Sequence, residues 1–221
     1  MNRPLLLGHR GLHVRHPENS LAAFSAALET GADGIECDVQ KTPAGEYVIM
    51  HDRPDPSAAG RAPSLDAMLD SLPAGAYLNL ELKADTLGAS DCAPILESVR
   101  RRRHPGPLLV SSFEPRLLYH FKDNGVPVGL LIGEEARDLG VIGALQVLRR
   151  LRPEYLNLPI LMFEVLGRRR ARALIAACRL MGFSLAFWTV NTEEELALVR
   201  RFSRIIITDN VPSMGRSLAG P

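Results

Sequence analysis

Eight short apolar runs follow one another along the chain, and a helix-like pattern fills most of the gaps between them. The runs are residues 5–9 (LLLGH), 34–39 (GIECDV), 77–82 (YLNLEL), 107–111, 127–132, 155–159, 184–190 and 205–208. Helical stretches fall near 20–30, 64–71, 90–104, 115–123, 137–151, 167–182 and 192–202. Strands alternating with helices imply a parallel sheet covered by helices. Eight strands and seven helices fit a (β/α)8 barrel. A doubly wound open sheet meets the same alternation, and spacing alone does not separate the two. The length allows one large core, so residues 1–221 are expected to form a single domain. After the last run there is room only for a short final helix.

One run breaks the alternation. Residues 47–51 (YVIMH) follow the second strand after the turn signal TPAG (42–45), too closely for a parallel crossover. The spacing predicts a β-hairpin excursion with Ala44 and Gly45 at its tip, setting His51 about opposite Asp38. The Pro-, Ala- and Gly-rich stretch 52–64 reads as a loop leading to the next helix.

Composition then removes several classes of function. A formal net charge of +1 gives no general attraction to nucleic acid. The basic clusters RRRRH (100–104), RRLR (149–152) and GRRRAR (167–172) fall on separate outer helices without interleaved aromatics, as solvated helix faces do. No apolar run is long enough to cross a bilayer, and Leu5–Leu7 are followed at once by polar residues, unlike a secretory leader. Cys37, Cys92 and Cys178 are scattered and odd in number, which suggests neither a disulfide framework nor a zinc site. The expected setting is cytoplasmic.

Chemistry concentrates at three strand ends. Glu36 and Asp38 share one face of a strand because side chains alternate with period two, and Glu81 and Lys83 do the same on the next barrel strand. In a barrel those ends form the active face. Three carboxylates meeting there repel one another unless a cation lies between them, and their oxygens favour Mg²⁺ or Ca²⁺. Either pair alone would fit an ordinary salt bridge. His9 ends the first strand and His51 ends the hairpin; singly each suits a structural role, whereas together they offer a general acid and a general base. Arg10 can grip a phosphate with a planar set of donors, and Lys83 can add a point charge. The chain has 23 arginines and three lysines, so a lysine at this strand end stands out. A metal, two histidines and two cations suit phosphodiester cleavage.

At this point the sequence resembles the glycerophosphodiester phosphodiesterase family. The resemblance is carried by GHRG (8–11), PENS (17–20), residues 24–39, the hairpin ending MHD (50–52), LNLELK (78–83), SSFEP (111–115), WTVN (188–191) and IITD (206–209), in family order over most of the chain. It implies a TIM barrel that hydrolyses glycerophosphodiesters to glycerol 3-phosphate and an alcohol. By position, His9 and His51 match the acid/base pair, and Glu36, Asp38 and Glu81 the divalent-metal ligands. Arg10 and Lys83 match phosphate-contacting cations, Glu18 and Asn19 belong to the first loop beside the site, and Trp188 matches a pocket-wall aromatic. Packing is the rival role for Trp188, and helix capping for Asn19. The resemblance also marks a departure: members carry a longer insertion after the HD dipeptide, whereas here the cap is reduced. An open mouth admitting bulkier alcohols, as in a lysophospholipase D, is the alternative, and a silent phosphodiester-binding barrel is a third reading. The substrate is a small molecule in each case, and the sequence leaves the oligomeric state open.

Overall fold

The computed structural model describes residues 3–56, 60–102, 106–133 and 135–219. Its strands are β1 (Leu5–His9), β2 (Gly34–Lys41), β3 (Tyr47–Ile49), β4 (Tyr77–Leu82), β5 (Leu108–Ser112), β6 (Val128–Leu131), β7 (Tyr155–Pro159), β8 (Ser184–Trp188) and β9 (Ile205–Thr208). The helices are α1 (Leu21–Glu29), α2 (Leu65–Ser71), α3 (Ala89–Arg102), α4 (Pro115–Asp123), α5 (Glu135–Leu151), α6 (Met162–Leu166), α7 (Arg168–Leu180), α8 (Glu193–Val199) and α9 (Val211–Ala219).

Every strand but β3 is parallel to its neighbours, in the order β1-β9-β8-β7-β6-β5-β4-β2. Pairing of β1 with β2 joins the two ends of that row, so the sheet is a closed eight-stranded barrel and the open doubly wound alternative falls away. Side-chain alternation then divides the core in two. Leu7, Tyr77, Leu109, Ala186, Ile205 and Ile207 fill the barrel interior. The opposite faces of the strands, Cys37 among them, pack against helix residues such as Phe24, Met68, Leu117 and Ile175. Helix starts are set by local caps: Ser20 accepts from the Ala23 amide, Ser64 from Ala67, and Thr192 and Glu195 form a reciprocal box.

The hairpin forms, with one correction. Its turn spans three residues: Thr42 N–H donates to the Glu46 carbonyl and Gly45 N–H to the Thr42 carbonyl. Gly45 takes φ 90°, the left-handed conformation such a loop needs at its last position. The longer loop moves the register by one, so Met50 N–H meets the Asp38 carbonyl at 3.0 Å and His51 lies one residue beyond. β3 is itself tied down: Asp91 accepts from Lys41 Nζ at 2.7 Å, Tyr47 Oη at 3.0 Å and the Gly88 amide at 2.9 Å.

Other differences are local. A short helix that the sequence reading does not include, α6, precedes α7, and Gly167 at φ 74° separates the two. Strand β8 ends at Trp188, two residues early, and the final helix runs for nine residues. Of the first basic cluster, Arg100 and Arg101 reach the Asn124 carbonyl and Asp66 on the barrel exterior, while Arg103 and His104 lie outside the described residues. Residues 57–59 of the reduced cap also lie outside them. Among the described residues, no helix is long and apolar enough to cross a membrane.

Candidate active site

The C-terminal ends of β1, β2 and β4 lie side by side, in registers that pair His9 with Glu36 and Asp38 with Glu81. All four side chains therefore share the inward face at one mouth of the barrel. Oxygen atoms of Glu36, Asp38 and Glu81 come within 4.8 Å of one another, and all three residues are buried.

Two cations answer this charge unequally. Lys83 Nζ stands 2.9 Å from Asp38 Oδ1 and 2.6 Å from Glu81 Oε1. Arg10 Nε stands 3.2 Å from Asp38 Oδ2 and its Nη1 donates to Glu18 at 2.9 Å. Asn19 Nδ2 also donates to Asp38 Oδ2, at 2.9 Å. Burial pushes the Asp38 carboxyl upward, but Lys83, Asn19 and Arg10 outweigh it and hold the group below its ordinary value. Glu36 is served less well: the Arg10 amide donates to its Oε2 at 3.3 Å, and Lys83 and Arg10 offset its burial only in part. Burial and the neighbouring Asp38 and Glu81 charges raise its carboxyl well above the usual range. Its Oε1 is buried without a hydrogen-bond partner. An orphaned carboxylate oxygen beside two further carboxylates fits a hard divalent cation, which takes oxygen ligands.

The loop after β1 brings Arg10 and Asn19 inward. Arg10, Gly11 and Asn19 all adopt positive φ, of 53°, 80° and 55°. A side chain at Gly11 would collide with the Ala23 backbone at 2.5 Å, so α1 closes down on this turn only because the residue is glycine. Ser20, not Asn19, is the cap of α1; Asn19 is instead spent on Asp38.

His51 enters from the hairpin. Its carbonyl accepts from the buried Gln40 amide at 2.8 Å, while Thr86 donates to the other end of that amide at 2.6 Å. The His51 ring lies 3.0 Å from Asp52 through Nδ1. With Glu81, Lys83, Ser112, Phe113 and Glu114 it lines an open cleft of about 480 Å³. Trp188 stands edge-on to Phe113, ring centres 5.8 Å apart, and donates to the Asn157 carbonyl at 3.1 Å.

A second cluster was not foreseen. Asp209 Oδ1 receives both His9 Nδ1 at 2.7 Å and His13 Nε2 at 2.9 Å, and its Oδ2 accepts from Asn191 at 2.7 Å. Burial alone would raise the Asp209 carboxyl; the His9 and His13 bonds hold it well below its ordinary value. With Nδ1 committed, His9 turns Nε2 toward Glu36 Oε2, 3.9 Å away. Asp209 was legible in principle, because closure pairs β1 with β9 and so sets the residue after Thr208 beside His9. His13 lies in an irregular loop and had no such signal.

A sequence model described as the glycerophosphoryl diester phosphodiesterase family matches residues 9–80, from His9 through the hairpin to β4. A glycerophosphodiester phosphodiesterase from Thermotoga maritima has the same fold throughout, with a TM-score of 0.80, 27% identity and coverage of 97% of this chain and 98% of that one. The chain is thus similar to the glycerophosphoryl diester phosphodiesterase family, in sequence over residues 9–80 and in fold throughout. Among curated relatives of the family, a glycerophosphodiester phosphodiesterase from Caldanaerobacter subterraneus is 52% identical over 50 residues, 23% of this chain and 21% of that protein. The chain matches only 18% to 21% of the length of its first curated relatives. A phosphodiesterase from Oleispira antarctica, in complex with the product sn-glycerol-3-phosphate, shares the fold at a TM-score of 0.78, with 22% identity over 99% of this chain and 98% of that one.

Proposed function

We propose that this barrel hydrolyses glycerophosphodiesters to glycerol 3-phosphate and an alcohol. The observation that carries the proposal is the convergence of Glu36, Asp38 and Glu81, one of their oxygens left without a partner, beside an imidazole already oriented by Asp209. Glu36, Asp38 and Glu81 are the residues that would hold a divalent cation, Mg²⁺ or Ca²⁺. Such an ion, when bound, supplies positive charge to the non-bridging phosphate oxygens.

The rest of the work falls to the chain. Asp209 accepts the Nδ1 proton of His9, which leaves a lone pair on Nε2 facing the carboxylate cluster. His9 takes the proton of the attacking oxygen there. His51, held by Gln40 at its carbonyl and by Asp52 at its ring, returns a proton to the leaving alcohol. Arg10 and Lys83 neutralise phosphate charge, and both are pre-aimed by their carboxylate partners. Glu18 and Asn19 keep Arg10 and Asp38 in register, and Phe113, with Trp188 edge-on against it, walls the cleft.

The short connection after His51 and the open cleft favour a second substrate class, lysophospholipids with a bulkier alcohol. Release of glycerol 3-phosphate from glycerophosphocholine, with and without Mg²⁺ or Ca²⁺ and beside His51→Ala, tests the main proposal. Metal-dependent turnover lost in the variant supports it. Turnover on lysophosphatidylcholine alone would move the assignment to lysophospholipase D. No turnover on either would leave a binding barrel.

A further inference from the structure

His9 stands between two sets of donors with different chemistry. Its Nε2 faces the all-oxygen set of Glu36, Asp38 and Glu81. Its Nδ1 belongs to the other set, completed by His13 Nε2 and Asp209 Oδ1, whose atoms all lie within 4.8 Å of one another. We propose that His9, His13 and Asp209 form a second metal site, selective for a borderline transition ion such as Zn²⁺, and that filling it switches the enzyme off.

Four observations support this site. The donors are two imidazoles and one carboxylate, a set that suits zinc and its neighbours far better than Mg²⁺ or Ca²⁺. Both imidazole nitrogens already aim at one carboxylate oxygen, at 2.7 and 2.9 Å, with the rings edge to face at 76°. The carboxylate is itself braced: Asn191 donates to Oδ2 at 2.7 Å and accepts the Asp209 amide at 2.8 Å, the kind of outer support that fixes a metal ligand. Side chains of His9, His13 and Asp209 retain 19%, 27% and 28% of their exposure, so an ion can enter from solvent.

Inhibition follows from the tautomer. In the hydrogen-bonded form His9 carries its proton on Nδ1 and keeps a lone pair on Nε2. A metal on Nδ1 takes that nitrogen's lone pair, so the one ring proton of neutral His9 must move to Nε2. His13, bound through Nε2, likewise shifts its proton from that nitrogen to Nδ1. No proton is gained or lost overall, yet the Nε2 that should act as base now bears a hydrogen. The same ring thus cannot serve both sites at once.

Binding and inhibition are tested separately, because inhibition rests on the proposed hydrolysis and binding does not. With excess Mg²⁺ present, the full chain is titrated with Co²⁺ and the visible absorption followed, then Zn²⁺ is added as competitor. A saturable cobalt spectrum displaced by Zn²⁺ is expected. Loss of an outer support costs 10- to 100-fold in metal affinity, so His13→Gln, which removes a ligand, should weaken binding by at least about tenfold. Glu81→Gln should leave it intact. In the Mg²⁺-supported assay, Zn²⁺ should suppress turnover of the unmodified chain, with a midpoint raised by a similar factor in His13→Gln. Equal cobalt affinity in the unmodified and His13→Gln chains would overturn the site, as would the absence of any cobalt spectrum. If the spectrum appears as expected but no phosphodiester is turned over, the proposed hydrolysis fails and the metal site stands.

Discussion

At the scale of single residues, Asp209 has the most specific consequence. In the proposed mechanism it acts through His9 and not on substrate, so its loss should lower kcat more than it changes KM. Asp209→Asn cannot hold the Nδ1 proton in the same way, and a fall in kcat on the order of 10²-fold is expected, within the usual worth of general acid–base catalysis. Steady-state kinetics on glycerophosphocholine provide the check; a raised KM at unchanged kcat would show that Asp209 only shapes the pocket. Asp91 bears on stability instead. Burial raises its carboxyl, but bonds from Lys41, the Gly88 amide and Tyr47 prevail and lower it below the ordinary value. Its contribution is therefore complete above the unfolded-state value of about 3.9 and fades as pH falls through the depressed folded value. Asp91→Ala should cost about 1–3 kcal/mol at neutral pH in urea unfolding, since it strands the Tyr47 hydroxyl and the Gly88 amide. The difference from the unmodified chain should shrink in acid.

At the scale of elements, the hairpin and the first loop decide what the mouth can do. Gln40→Leu removes the bond that holds the His51 carbonyl and leaves Thr86 without its acceptor. Turnover should drop at least about tenfold if His51 acts as a general acid, with the melting curve showing whether folding is also affected. The hairpin itself was legible from TPAG, and the strands from their apolar runs, because turn chemistry and side-chain period are local properties. Its register was not: whether Pro43 belongs to the strand or the turn depends on Gly45 taking a left-handed conformation, which shifts His51 by one residue. Glu36, Asp38 and Glu81 were legible because they lie on strands, where spacing dictates direction. His13 and Asn191 were not, since their loops acquire direction only from the closed barrel. Asn19 was ambiguous for a related reason: it neighbours the true cap, Ser20, and only the positive φ at Arg10 and at Asn19 itself turns its amide toward Asp38.

For the whole molecule, the excess of buried negative charge at the mouth links metal, pH and stability. Glu36 has a raised folded value, so its advantage to folding is present below the unfolded value and is lost as pH rises through the raised one. Mg²⁺ should therefore stabilise the chain more in mildly alkaline than in mildly acidic buffer. At a concentration of about 100 Kd the gain is about 2.7 kcal/mol, which corresponds to a rise of several degrees in Tm for a chain of this size. A thermal melt with and without Mg²⁺ checks this, and Glu36→Gln should largely abolish the dependence on pH. The seam between β1 and β9 also imposes an order in time. His9 leaves the ribosome 200 positions ahead of Asp209, the group that orients it. No partial product, however well its early strands have paired, presents that imidazole correctly. When the chain refolds from denaturant, helical circular dichroism should therefore return before turnover does, and the delay between them times the closing of the ring.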